Sequence, residues 1–503
     1  MKPFYITTAI DYANGDPHLG HALEKVGADA IARWHRLRGE PVRLLMGMDE
    51  HGQKVYQAAI AGGGAPMAWI DTISERFQAT WRRLHCSPDD WMRTTQPRHA
   101  RGVTALLEQI KTRNPDDLFV GEYDGLYCVG CEEFKQPGQI VDGRCGEHPS
   151  RELVPTKERN TFFRLSRWTK AVRQKLDSGE FRVEPAIRRN EMLRLLDDGL
   201  HDISVSRGRL PWGIPFPGSE DETVYVWFDA LINYLSATGY PDAGWDDIWP
   251  ADIHVVGKGI TRFHCLIWPA MLLAAGLPLP RLVWAHGYVQ WGGAKVSKSE
   301  GARVSLDEAI DRHGADALRY FLLREVGFEN DGDFTFERLD ARYTSDLADG
   351  LGNLASRTTA MLAKYRAGVV PNGVSGEPLD AAGDLAVAGY ATAMDAIDLK
   401  GAAEAAWRLV GEANSYIVVT APWTLAKQGD EARLDAALAA LARCLVRLAV
   451  MTSPFMPAKA QELWAALGQV GTPEGAWHAA VAPDIAGATV VKPENLFPKP
   501  PAV

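Results

Sequence analysis

The opening of the chain is the feature that most limits how it can fold. The apolar run FYITTAI is followed by the turn DYANGDPHLG and by HALEKVGADAIARWHRLRG, in which apolar residues recur at helical spacing. A second apolar run, PVRLLMGM, leads into DEHG and a further helix pattern. Strands that alternate with helices in this way predict a parallel sheet that binds its ligands at the carboxyl ends of the strands.

This alternation is interrupted once and later ends. Gly, Pro, Cys and charged residues dominate from about residue 118 to 168, which indicates an insertion, and the alternation resumes with TVYVWFDALINYLSA. Beyond about residue 338 strands largely disappear, and five leucines of ARLDAALAALARCLVRLAVM share one helical face. We predict an α/β chain in four parts: residues 1–117 and 223–337 as two halves of a nucleotide-binding core, 118–222 as a connective insertion, and 338–503 as a helical bundle with a tail.

Composition argues against a basic protein and against a membrane protein. The 503 residues carry a formal net charge of -10, so a polyanionic partner would need local basic patches. No run of about 18 uncharged apolar residues occurs, and the N-terminal stretch reaches Asp11 before a signal-peptide apolar region develops. We therefore expect a cytoplasmic protein without membrane contact.

Three of the six cysteines crowd into one short segment. Cys128-Val-Gly-Cys131 is followed by Cys145-Gly-Glu-His148. In a reducing compartment such clustering indicates metal rather than a disulfide framework. These two pairs are spaced to close a tetrahedral Cys₃His zinc site with no open position, which is the arrangement of a structural site. The alternative is a set of unrelated free thiols.

The turn GDPHLGH carries the first chemical signal. His18 and His21 flank Gly20 at the start of the first helix, where backbone N–H groups and the helix dipole favour an anion. Two hydrogen-bond donors there can hold a phosphoryl group and strengthen as it gains charge. The alternative is a helix N-cap with two incidental histidines. No GxxxxGK[ST] loop and no complete GxGxxG occurs, which argues against a P-loop ATPase and a dinucleotide enzyme.

A lysine-bearing segment, GGAKVSKSEG, lies in the second half of the core. Taken alone, Lys295 and Lys298 are typical of an exposed, solvated loop. However, HLGH resembles the HIGH signature of class I aminoacyl-tRNA synthetases, and KVSKS resembles their KMSKS loop, in the same order on opposite halves of a split core. A mobile lysine loop that closes late binds the transition state better than the ground state.

This resemblance implies a Rossmann-like class I core with a zinc-knuckle insertion, followed by an all-α anticodon-binding bundle. It also implies that Mg²⁺ shares the charge of the ATP phosphates. The catalytic residues that it implies are His18, His21, Lys295 and Lys298. The ATP-binding residues that it implies are His18, Gly20, His21, Glu24, Gly257, Lys258 and Lys298.

Longer segments narrow the resemblance to the methionyl-tRNA synthetase family over nearly the whole chain. They are TTAIDYANGDPHLGHALEK, GMDEHG, VYVWFDALINY, GKGITRFHCLIWPAM and HGYVQWGGAKVSKS. The likeness implies that Asp49 binds the substrate ammonium and that the methionine pocket is formed by Ala9, Ile10, Tyr12, Trp227, Leu231, Tyr234, Ile260 and His264. Such walls suit a polarizable thioether, and we expect the Tyr12 hydroxyl and the His264 imidazole to face its sulfur.

Four positions depart from the pattern of the family. Gly259 follows Lys258 where relatives often have an acidic residue that binds ribose, and Leu231 stands where some have proline. His148 replaces the last knuckle cysteine of many relatives, although imidazole also ligates zinc. Val296 replaces the methionine of KMSKS, and we expect this stiffer side chain to alter loop closure without removing the chemistry.

The helical part carries a second resemblance to the same family. LGNLASR and YIVVTAPW resemble its anticodon-binding motifs, which implies that Asn353, Arg357 and Trp423 contact the anticodon of tRNA. An unstacked base can stack on an aromatic plane, while two polar side chains one helical turn apart can bond base edges and phosphate. On composition alone, Trp423 would be assigned to a core.

The resemblance implies an enzyme that joins methionine to initiator and elongator tRNA through a methionyl-adenylate, with one structural zinc per chain. One alternative is a class I synthetase for a branched-chain amino acid or for cysteine. Another is a catalytically decayed tRNA-binding protein, although His18, His21, Lys295 and Lys298 are all present. We expect a monomer, because no appended dimerisation domain follows ENLFPKPPAV.

Overall fold

The computed structural model describes residues 2–135, 138, 140–146, 149–150, 152–208, 210–219, 221–291, 294–295, 305–373, 376–493 and 495–499. The strands are β1 (Phe4–Thr8), β2 (Asp11–Tyr12), β3 (Val42–Asp49), β4 (Asp90–Arg93), β5 (Leu118–Cys128), β6 (Glu133–Lys135), β7 (Ile140–Val141), β8 (Arg144–Cys145), β9 (Val154–Phe163), β10 (Arg182–Glu184), β11 (Ile203–Ser204), β12 (Ser206–Gly208), β13 (Glu222–Val224), β14 (Ile253–Gly257), β15 (Leu282–His286), β16 (Val289–Trp291), β17 (Ala294–Lys295) and β18 (Gly332–Asp333).

The α-helices are α1 (Leu19–Leu37), α2 (Gln53–Ala61), α3 (Pro66–Arg83), α4 (Pro97–Arg113), α5 (Thr169–Ser178), α6 (Ala186–Asp198), α7 (Val226–Leu231), α8 (Asn233–Ser236), α9 (Trp268–Ala275), α10 (Leu306–His313), α11 (Ala315–Phe321), α12 (Phe336–Arg342), α13 (Asn353–Arg366), α14 (Pro378–Asp395), α15 (Leu399–Thr420), α16 (Pro422–Gln428), α17 (Glu431–Thr452), α18 (Pro457–Ala466) and α19 (Trp477–Val481). Among the residues described, π-helical segments cover Phe263–Ile267, Leu322–Val326 and Tyr343–Gly352.

A parallel sheet joins the two predicted halves of the core. Its strand order is β10-β15-β14-β1-β3-β2, and β4 pairs with β3. Strand β1 lies between the halves, since Ile6 is opposite Ile253 of β14 on one side and Leu44 of β3 on the other. Four of the five β1 residues are buried, as expected for a parallel strand covered on both faces. The Rossmann-like α/β core predicted from the sequence is therefore confirmed.

The region between the halves contains a separate antiparallel sheet, of order β11-β9-β5-β6. Its long hairpin pairs β5 with β9 from Leu118 opposite Phe163 to Tyr127 opposite Val154. Within residues 118–222, β10 does not join this sheet but pairs with β15 at the edge of the core sheet. A strand of three residues shows no period that could have assigned it to the core from the sequence.

The C-terminal part consists of helices packed around α17. The leucine face expected from the sequence is buried, with Leu434, Leu438, Leu441, Leu445 and Leu448 at most 1% exposed. The tail returns to this bundle, where Leu496 and Phe497 are buried and the Tyr343 hydroxyl donates to the carbonyl of Pro498 at 2.8 Å. Among the described residues, no helix has both the length and the apolar character that a membrane crossing requires.

One buried arginine fastens the core to this bundle. Arg319 on α11 is fully buried and donates to Asp29 of α1 at 2.7 Å. The same guanidinium donates to the carbonyls of Leu84, Pro454 and Phe455 at 2.8 to 3.0 Å. The helix that begins at the HLGH turn is thereby tied directly to the segment between α17 and α18.

Candidate active site

Three strand ends meet at the carboxyl edge of the core sheet. Ala9 follows β1, Asp49 ends β3, and Gly257 ends β14, and these strands are parallel neighbours. The N–H of Ala9 donates to Val255 O at 3.1 Å, and that of Ala13 donates to Asp49 O at 3.0 Å. The sequence-predicted residues of the first and second halves therefore lie along one edge, where ligands of such sheets bind.

The two histidines of the HLGH turn form the N-terminal cap of α1. His18 Nδ1 accepts from the N–H groups of Gly20 at 3.1 Å and His21 at 3.4 Å, and His21 Nδ1 accepts from the N–H of His18 at 3.2 Å. The rings stack with their centroids 3.6 Å apart. Because both Nδ1 atoms are acceptors, the ring proton of each histidine lies on Nε2. The capping hydrogen bonds use the Nδ1 atom of each ring, so the capping alternative and the phosphate-binding alternative are compatible.

A buried cluster of charged side chains lies in the first two turns of α1 and next to them. Lys25 Nζ contacts Asp11 at 2.9 Å, Glu24 at 2.7 Å and the carbonyl of Ala9 at 2.7 Å. Glu24 also contacts His286 Nε2 at 3.0 Å. Although burial opposes ionisation, Lys25 and His286 lower the pKa of Glu24 to about 2, whereas burial raises the pKa of Asp11 to about 6. Glu24, expected at the ATP site, is therefore held as a carboxylate by groups from both halves of the core.

The methionine-pocket residues of the second half occupy neighbouring positions. Leu231 and Tyr234 are buried, and the Tyr234 hydroxyl lies 2.7 Å from His264 Nε2. Burial lowers the pKa of His264 to about 4, so the ring is neutral. Its Nδ1–H donates to Ile260 O at 3.0 Å, which leaves Nε2 as the acceptor of the Tyr234 hydroxyl. Both ring nitrogens of His264 thus have protein partners in this structure, and the predicted contact of His264 with sulfur stays a prediction.

Trp227 forms an aromatic wall next to this pair. Its indole ring stacks on Phe263 with the centroids 4.2 Å apart, and its Nε1–H donates to the carbonyl of Cys131 at 3.1 Å. Phe263 begins the π-helical segment Phe263–Ile267, which also contains His264. Such single-turn irregularities often occur at functional sites, because they re-aim side chains. Trp227 therefore contacts both Phe263, which precedes His264 in the chain, and the cysteine-bearing loop.

Asp49 is a buried carboxylate whose pairing with protein groups is incomplete. It is 5% exposed, and in the described part of the chain its Oδ1 has no hydrogen-bond partner. Burial, together with the nearby charges of Asp229 and Glu132, raises the pKa of Asp49 well above its usual value. An ammonium group placed here would satisfy Oδ1 and favour the ionised form. This is the chemistry that the sequence assigns to Asp49.

A histidine–aspartate–histidine cluster behind Asp49 was missed by the sequence analysis. Asp229 of α7 is fully buried, and its two oxygens each lie 2.6 Å from a ring nitrogen, of His51 on one side and His99 on the other. Burial opposes ionisation, but the two imidazoles lower the pKa of Asp229 to about 2. The residues of this cluster that could have been noticed in the sequence are the His of DEHG and the Asp of WFDAL. They are 178 positions apart in the chain, so no local pattern connects them.

Glu132 is a second residue that the sequence analysis missed. It follows Cys131 directly, is 3% exposed, and accepts the hydroxyl of Tyr12. The Tyr12 hydroxyl thus donates to a carboxylate in this structure, and its predicted contact with sulfur stays a prediction. Only proximity to the cysteine pair marked Glu132 in the sequence, and nothing there indicated its left-handed φ of 52°.

The cysteine cluster is assembled as the sequence predicts. The sulfur atoms of Cys128, Cys131 and Cys145 all lie within 4.8 Å of one another, with Cys131 and Cys145 3.5 Å apart. Three converging thiols supply the ligands that zinc prefers, so the donor set fits this metal. His148, the expected fourth ligand, lies outside the described residues.

The lysine loop is described only at its beginning. Ala294–Lys295 forms β17, in which Lys295 is opposite Gln290 of β16. Lys298 and Val296 lie outside the described residues. Lys258, expected to bind ATP, has its Nζ 2.7 Å from Asp331.

The departure at Gly259 coincides with a close approach of the Tyr288 side chain. A Cβ at this position would lie 2.1 Å from the hydroxyl oxygen of Tyr288, so no side chain fits without displacing that ring. An acidic residue after GK would therefore require the Tyr288 hydroxyl to move aside.

The anticodon candidates lie on the helical bundle. Asn353 is exposed at the start of α13, and Arg357 is half-buried one turn later. Trp423 on α16 is 47% exposed, in contrast to the core position that composition alone favours. Val418 and Val419, at the end of α15, are 64% and 83% exposed. Such a concentration of exposed apolar side chains marks a candidate contact surface.

Comparisons with known proteins agree with this architecture. A family model described as tRNA synthetases class I (M) matches residues 4–153 and 135–359, and one described as the anticodon binding domain of methionyl tRNA ligase matches residues 371–500. The methionine–tRNA ligase of Streptomyces coelicolor is 40% identical over 99% of this chain and 97% of its own length. That of Caldanaerobacter subterraneus subsp. tengcongensis is 42% identical over 93% of this chain and 74% of its own length.

Solved structures show the same similarity. The Mycobacterium tuberculosis methionyl-tRNA synthetase in complex with methionyl-adenylate is 38% identical with a TM-score of 0.94, over 99% of this chain and 100% of that chain. Its apo form has a TM-score of 0.87 at 35% identity, over 100% of this chain and 99% of that chain.

Proposed function

The chain belongs to the methionyl-tRNA synthetase family of class I aminoacyl-tRNA synthetases, and we propose that the carboxyl edge of its core sheet binds methionine and ATP. It is an aminoacyl-tRNA ligase: it activates methionine with ATP to methionyl-adenylate and pyrophosphate, and then transfers the methionyl group to tRNA. The matches to methionine enzymes over the whole chain argue against the branched-chain and cysteinyl alternatives.

The methionine site is proposed at the ends of β1 and β3 and on α7. Asp49 binds the α-ammonium, and the side chain lies against Trp227, Leu231 and Tyr234. The neutral His264 holds the Tyr234 hydroxyl, so this pair forms a fixed polar element in an otherwise apolar wall. Ala9, Ile10, Tyr12 and Ile260 complete the proposed pocket.

The ATP site is proposed along the HLGH turn. A methionine carboxylate oxygen attacks the α-phosphorus, and the bond from that phosphorus to the bridging oxygen of pyrophosphate breaks. Charge then grows on the phosphate oxygens, toward which the Nε2–H groups of His18 and His21 donate hydrogen bonds. Lys298 joins them from the lysine loop with Lys295, while Gly20, Glu24, Gly257 and Lys258 shape the nucleotide site. ATP enters as its magnesium complex, so Mg²⁺ belongs to the substrate.

The zinc site is proposed to be structural. Cys128, Cys131, Cys145 and His148 would hold the ion, which with four protein ligands stabilises the loop and leaves no position for substrate. Metal analysis of unchelated protein is expected to give about one zinc per chain, and a clearly lower content would contradict the Cys₃His assignment.

The tRNA contacts are proposed on the bundle, with Trp423 stacking on an anticodon base and Asn353 and Arg357 bonding base edges and phosphate. Initiator and elongator tRNA are both proposed substrates. We also propose a cytoplasmic monomer. The division at residues 117, 222 and 337 is kept as the domain organisation, with β10 assigned to the core.

The observation that carries this proposal is the buried Oδ1 of Asp49 at the edge where the two halves meet, which has no hydrogen-bond partner among the residues that the structure describes. Amino-acid-dependent pyrophosphate exchange with all twenty amino acids tests it, and methionine alone is expected to give full exchange. Asp49→Asn should raise KM for methionine far more than KM for ATP, whereas the exposed Asp242→Asn should change neither. Absence of exchange with methionine would contradict the proposed function.

A further inference from the structure

Glu132 lies in the loop between β5 and β6, between a zinc-ligand candidate and the methionine pocket. Its carboxylate accepts the Tyr12 hydroxyl on one oxygen and the backbone N–H of Lys54 at 2.9 Å on the other. Both carboxylate oxygens are therefore engaged by the core, although the residue itself belongs to the insertion.

The backbone of the same loop makes further contacts with the pocket. The carbonyl of Glu132 accepts the hydroxyl of Tyr225, which precedes α7, and the carbonyl of Cys131 accepts Trp227 Nε1 at 3.1 Å. The carbonyl of Gly130 accepts Lys54 Nζ. Three consecutive loop residues are thus bonded to the end of β2, to the start of α2 and to the helix that carries the pocket tryptophan.

The fit around the carboxylate is close. Gly52, which precedes α2, has a φ of 100°, and a Cβ there would lie 2.4 Å from the Tyr12 hydroxyl oxygen and 3.0 Å from Glu132 Oε1. Only glycine leaves room for this hydrogen bond, and its backbone conformation is one that L side chains rarely adopt. The close packing of Gly52 against the Tyr12 hydroxyl and the Glu132 carboxylate therefore fixes the Tyr12 ring relative to Glu132.

We propose that Glu132 is a positioning residue for methionine activation, which holds the Tyr12 phenol as one wall of the methionine pocket and ties that wall to the zinc-binding loop. This inference rests on the proposed function. Glu132 does not touch the reacting atoms. It acts through Tyr12, so its loss should alter methionine binding rather than ATP binding.

The test measures methionine binding directly. The dissociation constant of L-methionine is obtained without ATP from intrinsic tryptophan fluorescence, and KM values for methionine and ATP are obtained from pyrophosphate exchange. Glu132→Ala and Tyr12→Phe should each weaken methionine binding by about tenfold or more, the scale of a hydrogen bond to a charged group. Glu132→Gln, which keeps an acceptor oxygen, should weaken it less. KM for ATP and the zinc content should stay close to those of the parent protein.

The double variant Tyr12→Phe with Glu132→Ala should bind methionine as tightly as whichever single variant binds it more weakly, because both changes remove the same hydrogen bond. Asp124→Ala removes an exposed carboxylate of the same hairpin and serves as the matched control, expected to behave like the parent. If the Glu132→Ala protein loses its zinc, the proposal is tested instead by a double-mutant cycle of methionine binding built from Tyr12→Phe and Glu132→Gln.

Three results would overturn the assignment. They are unchanged or tighter methionine binding by zinc-bound Glu132→Ala, a parallel rise of both KM values, and multiplicative losses in the double variant. The last two results would indicate that Glu132 only stabilises the fold and does not position Tyr12 for methionine binding. Failure of the parent protein to exchange pyrophosphate with methionine is a different outcome, because it would remove the proposed function itself.

Discussion

Replacing Arg319 by methionine should destabilise the protein strongly. The guanidinium is fully buried and donates to Asp29 and to the carbonyls of Leu84, Pro454 and Phe455. Methionine keeps much of the aliphatic stem, so the change removes donors with little loss of packing volume. The three carbonyls lie on buried residues and would be left without these donors.

The expected loss of folding free energy depends on which hydrogen-bond partners Asp29 and the three carbonyls retain in the variant. Removing one partner of a buried ion pair costs about 3–5 kcal/mol. Asp29 retains Arg33 Nε at 2.7 Å and the N–H and hydroxyl of Ser87, both at 2.8 Å, so its own loss is partial. Each orphaned carbonyl adds roughly 1 kcal/mol or more. We therefore expect a destabilisation of about 3–5 kcal/mol, with the carbonyls supplying much of it.

Urea unfolding, followed by both circular dichroism and tryptophan fluorescence, measures the effect and shows whether the core and the bundle still unfold together. Arg312→Met is the matched control, because Arg312 pairs with Asp340 at 2.5 Å on the surface and is expected to cost less than about 1 kcal/mol. Equal destabilisation by the two variants would refute the reasoning, since it would mean that burial of Arg319 carries no special cost.

Three further predictions concern the site and the bundle. Lys298→Ala should raise the adenylation barrier by at least about 2–3 kcal/mol, the scale of one preorganised transition-state contact, whereas Val296→Met should change the adenylation rate only modestly. Both rates are measured by pyrophosphate exchange. Near-normal exchange by Lys298→Ala would show that the loop is an ordinary solvated surface loop without a catalytic role. Trp423→Ala should weaken tRNA binding by about 1–3 kcal/mol without affecting methionine activation, which filter binding and exchange together can check; equal losses in both assays would indicate misfolding instead. Burial lowers the pKa of His264 from 6.5 to about 4, so between these values the unfolded chain takes up a proton that the folded chain does not. The stability that this residue contributes is therefore present above about pH 6.5 and is lost as the pH falls toward 4, and His264→Gln should flatten that part of a curve of urea midpoints against pH; parallel curves would contradict the assignment.

Local chemistry made much of the molecule predictable. The HLGH turn encodes the start of α1, because the capping contacts join residues two or three apart. The leucine face of α17 follows from helical period alone. The cysteine pairs assemble because their spacing already allows a common centre.

Contacts between distant segments could not be predicted in the same way. Tyr12 and Glu132 are 120 positions apart, and no period relates them. Arg319 occupies an ordinary helical position in RYFLLREV, where an arginine is usually solvated. Its burial depends on the carbonyls of the segment between α17 and α18, which only the folded bundle brings to it.

The central place of β1 in the sheet has a consequence for synthesis of the chain. One neighbour of β1 is β14, and the two strands are joined by contacts across 247 positions, such as that from Thr7 to His254. At about 5–20 residues per second, roughly 12 to 50 s separate the emergence of the two strands from the ribosome. During this interval one side of β1 remains an unpaired apolar edge. Fragments that end before residue 253 are therefore expected to aggregate or to need chaperones during expression.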